Sequence, residues 1–199
     1  MFVMKIGVLA LQGDFAEHVR ILEQIGVTAV EVRLPHDLAD IGGLIIPGGE
    51  STTIGKLAVR FGLMEPIRRL ASTRPVWGTC AGAIFLARDP RHSQPMLGLM
   101  DICVRRNAFG RQAQSFETEL EVPDIVTAEN NRRIHAVFIR APLIESVGAD
   151  VKVLARLSDG RIVAARQRNL LATSFHPELT GDDRFHRYFL TIGSVSCPG

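Results

Sequence analysis

PVWGTCAGAIFLA, residues 75–87, joins two apolar runs through GTCAG, which sets a glycine two positions to either side of Cys80. The first run reads as a buried strand over 75–80 and the second as an apolar helix, the pattern of a nucleophile elbow. A strand that turns straight into a helix strains its central residue, and the neighbours must lack bulk so that the chain can approach itself. Cys80 would then project from the end of a sheet, at a helix start whose unpaired N–H groups and dipole favour a thiolate. The same residue fits equally a buried small hydrophobe, the commonest state of a free cysteine.

Outward from this elbow the chain alternates strand and helix patterns. VMKIGVLAL (3–11) is a near-continuous apolar run, as expected of a strand covered on both faces in a parallel sheet. Phe15, Val19, Leu22 and Ile25 recur at helical spacing within 14–25, and Gly26 supplies a stop. TAVEVRL (28–34) and GLIIPGG (43–49) predict further strands, separated by PHDLAD, which holds little more than about one helical turn. Ser51 is placed to cap a helix over 52–60, and a second helical pattern covers 62–72.

The second half changes character. SFETELEV (115–122) sets Phe116, Thr118, Leu120 and Val122 on one face and glutamates on the other, a strand with one wet face. Further strands are read at 135–141, 151–157, 160–166 and 170–175, with Asp159-Gly160 as a hairpin turn and a closing helix over 182–192. No repeat, low-complexity stretch or linker interrupts the pattern. The expectation is one α/β domain over 1–199: a three-layer sandwich with a central, mostly parallel sheet flanked by helices, and additional antiparallel strands in the second half.

Composition narrows the function classes. Apolar residues make up 46% and no run nears the roughly 18 residues of a membrane span, so no membrane segment is expected. The start of the chain lacks a cleavage-like site and reads as a buried strand. A net charge of +2, with only short arginine pairs, leaves no footprint for nucleic acid. Cys80, Cys103 and Cys197 are odd in number and far apart, which suits neither a disulfide framework nor a zinc site, so no metal is expected and a reducing cytoplasm is the simplest home. Cys103 lies in an apolar alternating stretch and Cys197 in a terminal tail, so neither reads as a nucleophile.

Among the six histidines, His18 and His186 on helical patterns, and His36, His92 and His135 near loops or strand ends, read as solvated or structural. His176 differs, because it follows the strand LLATSF and precedes Pro177 and Glu178. Side chains at i and i+2 of an extended segment point the same way, and proline biases its predecessor towards extended backbone. Glu178 is then expected to hold one imidazole nitrogen while the other faces a thiol, the base-and-orienter logic of a triad.

LALQGDFAEH (9–18), PGGESTT (47–53), GTCAG (78–82), RNAFGRQ (106–112), FIRAP (138–142) and SFHPELT (174–180) together resemble the glutaminase subunits of pyridoxal 5'-phosphate synthase, a family of class I glutamine amidotransferases. The resemblance runs from about residue 4 to about 190; the segment VTAENNRR and the tail GSVSCPG have no counterpart in it. It implies a glutaminase in which Cys80 attacks the amide of L-glutamine, His176 moves the protons and Glu178 holds the ring, with no cofactor. It also implies that Gly49, Glu50, Ser51, Arg106, Ile139 and Arg140 line the glutamine site, where an arginine suits the substrate carboxylate and a carboxylate its ammonium. From the residues alone, Ser51 reads as a plain cap and Arg106 and Arg140 as solvated strand ends. An oxyanion hole is needed, and the backbone N–H groups of Ala81 and of the Gly48-Gly49 turn are the candidates.

A chain of this length leaves no room for an acceptor domain, so ammonia is expected to pass to a synthase subunit, the partner the resemblance names. The LQGDF loop is expected near the site and against that partner, since loops at the carboxyl ends of strands surround such sites. A glutaminase subunit of another pathway, such as imidazole glycerol phosphate synthase, would share triad and fold. An intracellular peptidase or chaperone of related fold typically has histidine after the nucleophile, where Ala81 stands here. A non-catalytic binding module would not need Cys80, His176 and Glu178 together.

Overall fold

The alternation of apolar runs with helical patterns is realised as a layered α/β structure. The computed structural model describes residues 4–89, 91, 93–106, 115–125 and 133–194, without the side chains of 193 and 194. In chain order these form β1 (Lys5–Leu9), α1 (Phe15–Gln24), β2 (Thr28–Val32), β3 (Gly43–Ile46), α2 (Ser51–Arg60), α3 (Met64–Ala71), β4 (Val76–Thr79) and α4 (Ala81–Leu86). Then follow β5 (Ile102–Arg105), β6 (Ser115–Leu120), β7 (Ile134–Ile139), β8 (Leu143–Val147), β9 (Lys152–Arg156), β10 (Ile162–Gln167), β11 (Leu170–Thr173) and α5 (Arg184–Ser194).

The main sheet runs β2-β1-β3-β4-β11-β10-β8-β5, with β9 also paired to β10. From β2 to β11 every neighbour is parallel, and from β10 onward every pairing is antiparallel. β6 and β7 make a separate antiparallel pair. Period-two alternation divides the strand residues between two cores. Leu44, Ile46 and Val76 pack with Ile54, Ile67 and Phe85 of α2, α3 and α4, whereas Ile45, Trp77 and Leu171 pack with Leu22 of α1 and Phe185 and Phe189 of α5. The β6–β7 pair lies on the second side, through Leu120, Ile134 and Phe138. Its outer face carries Glu117, Glu119 and Glu121, all exposed, as the alternation in 115–122 predicts.

Several expectations need correction. β5 and β8 were not foreseen, because ICVR is only four residues long and LIESV is buried in its first half alone, so neither shows a clean alternation. The cap of α2 is Glu50, not Ser51: the Glu50 carboxylate accepts the N–H groups of Thr52 and Thr53, and Ser51 is the first helical residue, buried. A charged cap interacts with the helix dipole as well as with the orphan N–H groups, which favours it over a hydroxyl. RNAFGRQ beyond Arg106, most of VTAENNRR, His92 and the tail with Cys197 lie outside the described residues.

The elbow is tight. Cys80 sits at φ 46°, ψ −107°, a conformation that L-residues rarely adopt, and its N–H donates to the Thr173 carbonyl at 2.8 Å. A Cβ on Gly82 would lie 2.0 Å from the Ile46 carbonyl oxygen, and one on Gly78 would lie 2.4 Å from the Gly82 oxygen. Backbone occupies both places, so Gly82→Ala is expected to cost about 2–3 kcal/mol through overpacking, read as a lower urea midpoint. A variant as stable as the wild type would show that α4 can retreat from β3.

Candidate active site

Four adjacent parallel strands end on one edge of the sheet, and each delivers its loop to the same place. The order β1-β3-β4-β11 brings together the Gln12–Asp14 loop, the Gly48-Gly49 turn, the Cys80 elbow and the His176 segment. They open on a cavity of about 430 Å³ whose lining includes Cys80, His176, Gly49, Glu50, Ser51 and Arg106. Ile139 and Arg140 complete the predicted set on its wall. Arg140 sits at φ 45°, the left-handed region that branched and long side chains avoid, so its place at the cavity is held by its surroundings rather than by its own preference.

His176 is buried and anchored through its own N–H, which donates to the Val137 carbonyl of β7 at 2.8 Å. Its Nδ1 donates to Glu178 Oε1 at 2.7 Å, and the ring lines the same cavity as the Cys80 side chain. The backbone that achieves this is not the extended segment expected. Pro177–Leu179 forms a 3-10 turn after His176 at φ −108°, ψ 85°, so the chain bends and Glu178 folds back against the ring. Proline still serves here, because its fixed φ and missing N–H suit the first position of such a turn. Burial opposes a charged imidazole, but the influence of Cys80 and Glu178 outweighs it and raises His176 to about 10. Burial also raises Glu178 above the usual carboxylate range, against the partial compensation of His176.

The polar end of the cavity is internally paired. Arg106 reaches Glu50 Oε1 at 2.8 Å, Thr52 Oγ1 at 3.1 Å and Gln94 Oε1 at 3.2 Å. Partial burial of Glu50 is outweighed by hydrogen bonds from the Thr53 hydroxyl and the Thr53 and Thr52 N–H groups, which bring its carboxyl down to about 2. Gly48 does not line the cavity; its carbonyl accepts the Asp14 N–H at 3.2 Å, while Gly49 and Ala81 do line it.

Two further groups escaped notice as individual residues. Gln12 Oε1 accepts the Glu50 N–H at 2.7 Å, and Asp14 Oδ2 lies 3.7 Å from His176 Nδ1. Their signal was positional: a polar LQGD directly after the first parallel strand must sit at the carboxyl edge. Among the described residues, Asp14, His176 and Glu178 bring three possible metal-ligand atoms within 4.8 Å, but the imidazole nitrogen of that set already donates to Glu178.

The arrangement predicts a coupled titration. In NMR of the chain labelled at histidine, His176 is expected to titrate far above 6.5, and Cys80→Ala is expected to lower that midpoint by at least about one pH unit. An unchanged midpoint would mean that the sulfur does not interact with the ring.

The chain is similar to known proteins over most of its length. The model of the SNO glutamine amidotransferase family matches residues 8–193. The pyridoxal 5'-phosphate synthase subunit PdxT of Herpetosiphon aurantiacus is 61% identical over 194 residues, covering 95% of this chain and all of that one. Its counterpart in Moorella thermoacetica is 58% identical over 191 residues, covering 95% and 99% of the two chains. A crystal structure of a glutamine amidotransferase superposes with a TM-score of 0.87 at 50% identity, covering 96% of this chain and 99% of that one. The structure of PurLQS from Thermotoga maritima shares the fold alone, with a TM-score of 0.68 at 18% identity over 96% of this chain and 99% of that one. With a family model matched over residues 8–193, the chain belongs to the SNO glutamine amidotransferase family.

Proposed function

We propose that residues 1–199 form one glutaminase domain that hydrolyses L-glutamine through Cys80, His176 and Glu178, and that the ammonia passes to a synthase subunit for pyridoxal 5'-phosphate formation. The observation that carries the reading is the buried 2.7 Å bond between His176 and Glu178 beside a 430 Å³ cavity that His176 and the elbow cysteine line together. Cys80 attacks the amide carbon as a thiolate, its proton already on the His176 ring, which is held charged to about 10. The same proton goes to the leaving nitrogen, so ammonia departs and a glutamyl thioester remains. Water then attacks the thioester as His176 takes a water proton, sulfur departs as the thiolate beside the recharged ring, and glutamate leaves. Ala81 N–H and an N–H of the Gly48-Gly49 turn are the donors for the oxyanion of both tetrahedral intermediates.

Substrate recognition falls to Gly49, Glu50, Ser51, Arg106, Ile139 and Arg140. The charges suit an α-amino acid: Arg106 and Arg140 attract its carboxylate, and Glu50, kept ionised, attracts its ammonium. The partner reading draws on relatives that are named as synthase subunits and are spanned end to end by this chain. Ammonia in neutral water is largely protonated and no longer nucleophilic, so a complex that passes it directly is the chemical requirement. The Gln12–Asp14 loop beside the cavity is the proposed contact with that partner. A free Cys80 nucleophile suits a reducing cytoplasm. Among the described residues no helix is long and apolar enough to cross a membrane.

Cys80→Ala is expected to lower glutamine turnover by at least about a thousandfold, measured with and without the synthase subunit, while the thermal midpoint stays close to the wild type. Turnover near wild type would remove Cys80 from the reaction. Gln12→Ala is expected to weaken partner binding or partner-stimulated turnover, and if both stay unchanged the loop is not the contact.

A further inference from the structure

Behind the triad, on the side away from the cavity, lies a polar cluster that the reaction above does not use. His18 of α1 and His186 of α5 are both fully buried, as are Thr79 and Thr173 at the ends of β4 and β11. His18 Nδ1 lies 2.9 Å from His186 Nε2, and His18 Nε2 lies 3.3 Å from Thr79 Oγ1 and 3.4 Å from Glu178 Oε2. Trp77 meets both imidazoles edge-on, at ring distances of 5.7 Å and 5.0 Å, and is itself fixed by donating Nε1–H to Thr173 Oγ1 at 3.1 Å. Two histidines thus stand locked directly behind the carboxylate that holds His176.

The proton positions follow from which atoms lack partners. Within hydrogen-bond reach, one nitrogen of the His18–His186 contact must carry a proton and the other must not. If His18 Nδ1 donated, a neutral His186 would carry its own proton on Nδ1, which has no partner in the structure. That would strand a buried N–H donor, a rarer and costlier state than an under-used acceptor. If His186 Nε2 donates instead, the orphan Nδ1 is merely an unused lone pair. His18 Nδ1 then accepts, so His18 carries its proton on Nε2, which hydrogen-bonds Thr79 Oγ1 at 3.3 Å and needs only a small turn of the carboxylate to reach Glu178 Oε2 at 3.4 Å. That proton is what the carboxylate lacks. Glu178 Oε1 is engaged by His176, whereas Oε2 is buried with no hydrogen bond of normal geometry. A buried carboxylate with one oxygen unserved is costly and free to turn.

We propose that His18 is a positioning residue: held in its Nε2–H form by His186, it presents that proton to Glu178 Oε2 and so keeps Oε1 on His176. Burial lowers the pKa of His18 well below the ordinary imidazole value and brings His186 to about 4, which keeps both neutral as the relay requires. The inference rests on the reading of Cys80, His176 and Glu178 as the triad, and it adds a second tier behind that triad.

Imidazole 15N NMR of the histidine-labelled wild-type chain reads the tautomers without any substitution. Nε2–H is expected on both His18 and His186, and Nδ1–H on either one overturns the proposal. Turnover is then measured with the synthase subunit present. His18→Leu is expected to lower kcat about tenfold to a hundredfold with KM for glutamine within about twofold, as a displaced catalytic group does. His18→Gln, whose side-chain N–H reaches the place of Nε2, is expected to recover most of that loss. Unchanged kcat in His18→Leu, or equal losses in the two variants, overturns the proposal. Should His18→Leu fail to fold, His186→Leu takes its place: it removes the group that fixes the His18 tautomer, so kcat is expected to fall at constant KM, and an unchanged kcat overturns the proposal. A Cys80→Ala chain that still turned over would instead sink the triad, and would leave the NMR result as it was.

Discussion

The structure turns on a contact between two stretches of backbone that have no side chain between them. The end of β3 and the first turn of α4 approach so closely that the Ile46 carbonyl fills the space a Gly82 side chain would need. This approach forces the β4–α4 junction into one residue, Cys80, and places that residue at a positive φ that costs of the order of 1–3 kcal/mol. The strain is held by the sheet, since β4 is paired on both sides, to β3 and to β11. Because β3 and β11 are its neighbours, their loops flank the sulfur, and these loops supply the Gly48-Gly49 turn and His176.

A buried ionisable pair depends on its partners, and the surroundings of His176 are arranged in layers around it, with Glu178 Oε2 left without a hydrogen bond of normal geometry. The carboxylate bonded to the ring and the nearby sulfur together overcome the desolvation that would keep it neutral. The carboxylate is more deeply buried than the ring's other contact, Asp14, whose side chain is 44% exposed and so adds little to the field at the imidazole. The aromatic cluster of Trp77, Phe185 and Phe189 closes the space beneath. That packing leaves the cavity as the open side of the group formed by Cys80, His176 and Glu178.

The outer end of the cavity obeys a different economy. Glu50 is tied to the start of α2 by two N–H groups and a hydroxyl, so it stays ionised and offers a fixed negative charge. Arg106, which follows β5, compensates that charge through a direct contact with Glu50 at 2.8 Å. An amino acid entering between them meets both signs of charge at once, which matches its own two charged groups. Since both partners are partly exposed, their mutual attraction is screened and exchange for a zwitterion is not prohibitive.

How much of this was legible beforehand depended on whether the cause was local. The strand-to-helix elbow at Cys80 was readable because glycine spacing and apolar runs encode backbone sterics within a few residues, and the alternation in 115–122 encoded a half-wet strand in the same way. The pairing of His176 with Glu178 was read, but through the wrong backbone: proline suits both an extended segment and the first position of a 3-10 turn, and only the tether of His176 to Val137 decided for the turn. Glu50 displaced Ser51 as the cap of α2 because both residue types can cap, and the choice depended on where the preceding turn pointed. β5 and β8 escaped because their pattern is set by neighbours far along the chain. His18 and His186 are 168 positions apart and sit on helices that look ordinarily amphipathic. Burial of a histidine is a property of what packs over it, so the local sequence determined the elbow and the candidate triad, whereas the tertiary structure alone decided that two histidines lie in the dark behind them.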